Sequence, residues 1–264
     1  MRGAAFPAHS RESGNPGSGS PPSRGRAVAH FSLTGGGNKR HCLSLAGATL
    51  VADRAGALYW PEQKTLVVAD LHLEKGSAFA SRGALLPPYD TVATLGRLAQ
   101  LIEHYAPALV IALGDSFHDG GGPERMSDIG RAALKAMQHG RDWLWIAGNH
   151  DPDRAENIGG HFAAVVAIGS LTFRHEPAAA AGGGEVAGHL HPLARLSQRG
   201  RSIRRRCFVS DGSRIIMPAF GAYAGGLNIR HRAIAALFDR RGFTAHMLGE
   251  RRLYAVAAAR CLAD

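Results

Sequence analysis

Leu66–Gly76 reads LVVADLHLEKG, and its first four residues set the fold class. Leu66–Ala69 is a short, wholly apolar run bounded by polar residues, the pattern of a strand buried on both faces. It feeds directly into Asp70-Leu71-His72. If the chain stays extended, residues i and i+2 point to the same side. A carboxylate and an imidazole would then leave the strand end together, aimed at one spot. Two further apolar runs repeat the arrangement: Leu109–Leu113 ends in Gly114-Asp115, and Trp143–Ala147 ends in Gly148-Asn149-His150-Asp151.

Helical periodicity fills the gaps between these runs. Val92, Leu95, Leu98, Ile102 and Tyr105 recur at helical spacing, which predicts a helix over 91–105 with Asp90 as its N-cap. Met126, Ile129, Ala133 and Met137 predict a second helix with Pro123 near its start and Gly140 at its stop. Strand–helix–strand–helix–strand with polar motifs at each carboxyl end is the mark of an α/β layered sheet with a site along that edge. Upstream, residues 42–60 suggest two short strands joined near Asp53-Arg54-Ala55-Gly56. Downstream, strands are expected near 163–168, 170–174, 185–188, 206–209 and 213–217, with no clear helix.

Composition narrows the class. At 264 residues, with 45% hydrophobic and 20% charged residues, the chain is an ordinary globular protein able to bury a sizeable core. No apolar run reaches the length of a membrane span, and no apolar segment follows the N-terminal arginines as a secretory signal would require. Three cysteines (Cys42, Cys207 and Cys261) without a CxxC pattern suit a reducing, cytoplasmic setting and exclude a disulfide framework. Residues 1–40, rich in Gly, Ser, Pro and Arg, have too little apolar content to order themselves and read as a disordered extension, leaving 41–264 as a single domain. The net charge of +10 divides evenly: six Lys/Arg against one acid in residues 1–40, and 25 against 20 in the remainder. The folded part is therefore only mildly basic, which permits a polyanionic substrate without requiring one.

The polar motifs supply the chemistry. With His175 and Gly188-His189-Leu190-His191, the candidate donors are Asp70, His72, Asp115, Asn149, His175, His189 and His191. Seven nitrogen and oxygen donors exceed the need of one four-coordinate zinc, and the lack of thiolates excludes a structural zinc. Such a set suits manganese, with iron(II) or zinc as alternatives. It suffices for two cations if one carboxylate bridges them, the arrangement used for in-line displacement at phosphorus.

In order and spacing, Asp70-x-His72, Gly114-Asp115, Gly148-Asn149-His150-Asp151, His175 and Gly188-His189-x-His191 resemble the motif series of calcineurin-like metallophosphoesterases. DLHLEKGSAFA at 70–80, LGDSFHD at 113–119 and PAFGAYAGGLN at 218–228 are similar to the bacterial ligase-associated DNA-damage-response branch, described as endonucleases. The resemblance covers about residues 41–255. It implies an αββα sandwich of two packed mixed sheets flanked by helices. It implies that Asp70, His72 and His191 hold one cation, that Asn149, His175 and His189 hold the other, and that Asp115 bridges both. His150 would face the substrate phosphate and Asp151 would orient it; the nucleophile would be a metal-bound hydroxide attacking in line. His118 could stand just behind the ligands, or be a solvated loop histidine.

The implied activity is hydrolysis of phosphodiester bonds, with DNA as a candidate substrate in a repair setting, in association with a DNA ligase and a helicase. A small-molecule phosphomonoesterase or nucleotide phosphodiesterase of the same mechanism is the first alternative, and a non-catalytic phosphate-binding scaffold the second. Arg195, Arg199, Arg201 and Arg204-Arg205-Arg206 form a basic run after the last ligand pair. It reads either as a solvated loop or, through Arg204, Arg205 and Arg206, as a nucleic-acid contact.

Overall fold

Leu66–Ala69 is buried on both faces, and this sets the layering of the molecule. The computed structural model describes residues 40–151, 158–180, 182–198, 200–239 and 242–264. Apart from Arg40, the extension assigned to residues 1–40 lies outside them, as does Arg199.

The first sheet runs β1 (His41–Leu45), β2 (Ala48–Ala52), β3 (Leu58–Trp60), β4 (Thr65–Val68), β5 (Leu109–Leu113), β6 (Asp142–Ile146) and β7 (His161–Ala163), in that spatial order. Neighbours are antiparallel from β1 to β4 and parallel from β4 to β7. Residues 42–60 thus form three strands where two were expected, because a hairpin turn at Ala46-Gly47 divides them.

Alternation along the parallel strands sends side chains to two cores. Leu66, Val68, Val110, Ala112, Trp143 and Trp145 cluster with Leu95, Leu98, Leu101, Leu134 and Met137 of the flanking helices. Val67, Ala69, Ile111, Leu113 and Ile146 meet Phe173, Val186, Phe208, Ile215 and Met217 of a second sheet. Each such aliphatic side chain contributes about 1.5–3 kcal/mol by leaving water.

Five α-helices are present among the described residues: α1 (Lys75–Ala80), α2 (Asp90–Tyr105), α3 (Gly122–Arg125), α4 (Asp128–Gln138) and α5 (Arg232–Ala235). Helix α2 buries Leu95, Leu98, Leu101 and Ile102 but leaves Val92 62% exposed, so the expected stripe is rotated at its start. Asp90 lies inside α2 rather than capping it, and its carboxylate accepts from the Gly76 amide at 3.1 Å. The second expected helix is two, broken at Met126; Ser127 caps α4, and Ile129 is 79% exposed. Gly140, with φ of 74°, makes the left-handed stop.

The second sheet has nine strands: β8 (Val165–Ile168), β9 (Leu171–Arg174), β10 (Glu185–Ala187), β11 (Pro192–Gln198), β12 (Arg201–Ser210), β13 (Arg214–Ile216), β14 (Leu227–Asn228), β15 (Thr244–Leu248) and β16 (Leu253–Ala257). Their order is β14-β11-β12-β13-β10-β9-β8, with β15 joining β12 to β16. A third cluster, including Val209, Ile216 and Met247, packs its outer face against Ile234 of α5. The result is an αββα sandwich of two mixed sheets. Of the basic run, Arg195 lies in β11 and Arg201, Arg204, Arg205 and Arg206 lie in β12.

Candidate metal centre

Six strands of the two sheets bring the motifs to one edge. Asp70 follows β4, Asp115 follows β5 and Asn149 follows β6; His175 and His189 follow β9 and β10, and His191 immediately precedes β11. Backbone hydrogen bonds zip the first two loops together: Asp70 N to Gly114 O (3.2 Å), His72 N to Asp115 O (2.9 Å) and Leu73 N to Ser116 O (2.9 Å).

The expected extended geometry at Asp70-Leu71-His72 is not what forms. Asp70 and His72 have φ of 53° and 43°, and Asp115, His189 and His191 share the left-handed region at 45°, 67° and 44°. That conformation is uncommon outside glycine, although Asp and His adopt it more readily than most residues. It turns each donor inward over the strand end.

Two groups of donors result. Asp70, His72 and His191 lie within coordinating distance of one point, and Asp115, His175 and His189 of another. In the first, the Nε2 atoms of His72 and His191 are 3.3 Å apart, and His191 Nε2 is 3.3 Å from Asp70 Oδ1. In the second, His175 Nε2 is 3.4 Å from Asp115 Oδ1 and 3.2 Å from His189 Nδ1. The other oxygen of Asp115, Oδ2, is 3.9 Å from His72 Nε2, so this carboxylate spans both groups. Asn149 lines a cavity of about 440 Å³ with His175 and Arg174.

The loops leave no slack around these donors. A Cβ at Gly114 would overlap the His175 ring, and one at Gly148 would overlap the Asp115 backbone. Both oxygens of Asp70 accept from the His189 amide at 3.1 Å, and Asp115 Oδ1 accepts from the His150 amide at 3.0 Å. His175 Nδ1 is 3.2 Å from the Leu113 carbonyl, which as acceptor would leave Nε2 free to coordinate.

Without cations, the two groups titrate differently. Burial, aided by the neighbouring His191, pushes His72 down to about 3. Burial also works against a charged His175, but its hydrogen bond to Asp115 and the charges of Asp70 and Asp115 prevail and lift it to about 9. Asp115 is correspondingly held below its usual range: burial would raise it, and His175 outweighs that.

A family model for Calcineurin-like phosphoesterase matches residues 63–212. The chain belongs to that family. Members use two divalent cations, and the mixed imidazole and carboxylate donors of the two groups suit such ions. The crystal structure of Pseudomonas putida nuclease MPE is similar to this phosphoesterase with a TM-score of 0.63 and 25% identity, covering 83% of this chain and 100% of that one. Yfce, a phosphoesterase from E. coli, is more distantly similar, with a TM-score of 0.36 and 14% identity over 74% of this chain and 98% of that one. No curated protein matches the phosphoesterase. Among the described residues, no helix is long and apolar enough to cross a membrane.

Several roles differ from those expected of the sequence. Asp151 does not reach the His150 ring; its Oδ1 accepts from Phe117 N and its Oδ2 from Gly148 N, both at 3.0 Å. It locks the Asn149 loop to the Asp115 loop, and burial raises its pKa. His118 stacks on His150 with ring centroids 5.9 Å apart and planes 8° apart, beside His72 at 5.8 Å. His118 thus stands half-buried beside His72 and His150. Arg206 is committed to the carbonyls of Ala219, Gly221 and Ala224 at 3.0–3.1 Å, so it braces the 218–228 loop and is not free for nucleic acid.

One further residue, to which the sequence reading gave no role, supports the centre. Glu74 is buried 4 residues beyond Asp70 and accepts from Ser77 Oγ (2.7 Å) and Thr91 Oγ1 (2.9 Å), binding α1 to α2 behind the centre. Its signal was slight: an acid after the alternating Asp70-Leu71-His72-Leu73, immediately before α1.

Proposed function

We propose that this phosphoesterase hydrolyses phosphodiester bonds, DNA among them, using two divalent cations, manganese by preference. The observation that carries the reading is Asp115, whose two oxygens face both donor groups. Asp70, His72 and His191 would hold one cation, and His175, His189 and Asn149 the other, with Asp115 shared between them. Cations so held would polarise the phosphoryl oxygens and make a water acidic enough to attack in line.

The protein's own contribution is positioning. Asp70 and Asp115 are fixed by backbone amides before any substrate arrives. The His150 amide is spent on Asp115, whereas its ring lies on the exposed rim between His72 and His118. From there it can donate to a phosphoryl or leaving-group oxygen. His118, stacked against it, limits the rotation of that ring. The similarity to a nuclease over the whole of that chain supports a diester substrate.

The test is turnover of bis-p-nitrophenyl phosphate, p-nitrophenyl phosphate and single-stranded DNA with manganese. Hydrolysis of the diester and of DNA is expected. Activity confined to the monoester would overturn the diester assignment, and inactivity on all three would favour a phosphate-binding scaffold.

A further inference from the structure

The register of the β11–β12 hairpin sorts its arginines onto two faces. Arg195 stands opposite Arg204, Ala194 opposite Arg205 and Leu193 opposite Arg206. Successive strand residues face opposite sides. Arg195, Arg204 and Arg206 therefore share one face, and Arg201 and Arg205 occupy the other. Like charges directly across a strand pair destabilise it, so the Arg195–Arg204 pairing stands at a cost that an anion would relieve.

The first face leads out from the metal centre. Arg206 grips the Gly221 carbonyl, and the Gly221 amide donates to Asp70 O at 3.1 Å. One step further, Arg204 Nη2 donates to Gly226 O at 3.4 Å, next to Leu227, whose amide donates to His191 O at 3.0 Å. Arg195 follows across the ladder, its Nε bonded to Ser202 Oγ at 2.9 Å and its Nη1 to Ala263 O at 3.2 Å. One acidic side chain, Asp264, stands 3.8 Å from Arg204, and both are half-exposed. Arg195 and Arg204 are direct cross-strand partners with Cβ atoms about 5 Å apart, so the two present one concentrated positive patch to a phosphate backbone.

We propose that Arg195 and Arg204 form a subsite for the backbone of a nucleic-acid strand whose scissile phosphate lies at the metal centre; this rests on the diester reading above. Arg201 and Arg205, on the opposite face, take no part. The separation of faces supplies its own control, because two double variants remove equal charge from one hairpin.

The experiment compares Arg195→Ala/Arg204→Ala with Arg201→Ala/Arg205→Ala, measuring KM for labelled single-stranded DNA with manganese at several salt concentrations. Loss of two phosphate contacts should lower the slope of log affinity against log salt by about 1.4. The first variant is expected to show that change and a rise in KM of about tenfold, and the second little of either. Arg195→Lys/Arg204→Lys should recover much of the affinity, and melting curves of all variants identify any that fail to fold. Equal weakening by both alanine variants, or by neither, would overturn the proposal. Wild-type protein that cleaves bis-p-nitrophenyl phosphate without binding DNA would overturn it too, while leaving the phosphoesterase reading intact. Wild-type protein inactive on the small diester would instead overturn that reading, and this subsite with it.

Discussion

The donor groups around Asp70 and around Asp115 use the same residue types, yet they hold their protons in opposite ways. In the first, nothing offsets the burial of His72 enough to keep it charged, and at neutral pH the imidazole is ready to coordinate. In the second, two carboxylates around His175 hold a proton that a cation must displace. The difference traces to placement. His175 has a hydrogen bond to Asp115 at 3.4 Å and the charge of Asp70 at 3.7 Å, whereas His72 has only Asp115, at 3.9 Å, to set against its burial and the neighbouring His191. Closely similar donors can thus differ in what loading them requires.

The largest effect should come from Asp115→Asn, which abolishes the contrast. Removing one partner of a buried charged pair typically costs about 3–5 kcal/mol. We expect turnover of bis-p-nitrophenyl phosphate to fall by about a thousandfold or more, with metal content reduced in both groups. Unchanged activity would sink the shared-carboxylate arrangement.

Gly114→Ala should strike one group alone. Its Cβ would enter the space of the His175 ring, at a φ of 76° that already favours glycine. Overpacking of this kind costs about 1–3 kcal/mol. Metal analysis should show the Asp115 group emptied while the Asp70 group stays filled; loss of both would mean the groups are not separable.

Protons give the next test, on metal-free protein. His175 has a folded value of about 9 against 6.5, so its stabilisation is present below pH 6.5 and fades as pH rises through 9. His72, at about 3, behaves oppositely: its contribution is complete above pH 6.5 and fades as pH falls toward 3. Melting temperatures across pH should therefore decline on both sides. His175→Asn should flatten the alkaline arm and His72→Asn the acid arm; an alkaline arm unmoved in His175→Asn would refute the assignment.

Glu74→Gln should have the smallest effect. It weakens charge-assisted bonds from Ser77 and Thr91, worth about 1–2 kcal/mol, and should lower Tm by a few degrees with both cations retained.

The first sheet was legible because Leu66–Ala69, Leu109–Leu113 and Trp143–Ile146 sit in the interior, where a continuous apolar run has one reading. The β11–β12 hairpin was not, because exposed arginines hide its alternation. β15 and β16 were missed for a related reason: exposed Tyr254 and buried polar His246 blur the pattern. At the site, the order of the motifs pointed to the six donors that gather in two groups. Their backbone conformation could not be read, since Asp and His are tolerated in both extended and left-handed geometry. Arg206 was misread because charge density alone does not say whether a guanidinium faces water or a row of carbonyls.

The left-handed turns at Asp70, His72, Asp115, His189 and His191 carry a consequence for motion. Each is a conformation its residue would leave if the surrounding hydrogen bonds opened. Amide exchange in metal-free protein should accordingly begin at this edge and spread inward along β4 and β5. Cations should slow it there first, protecting the Leu73 and His118 amides before any in the helices.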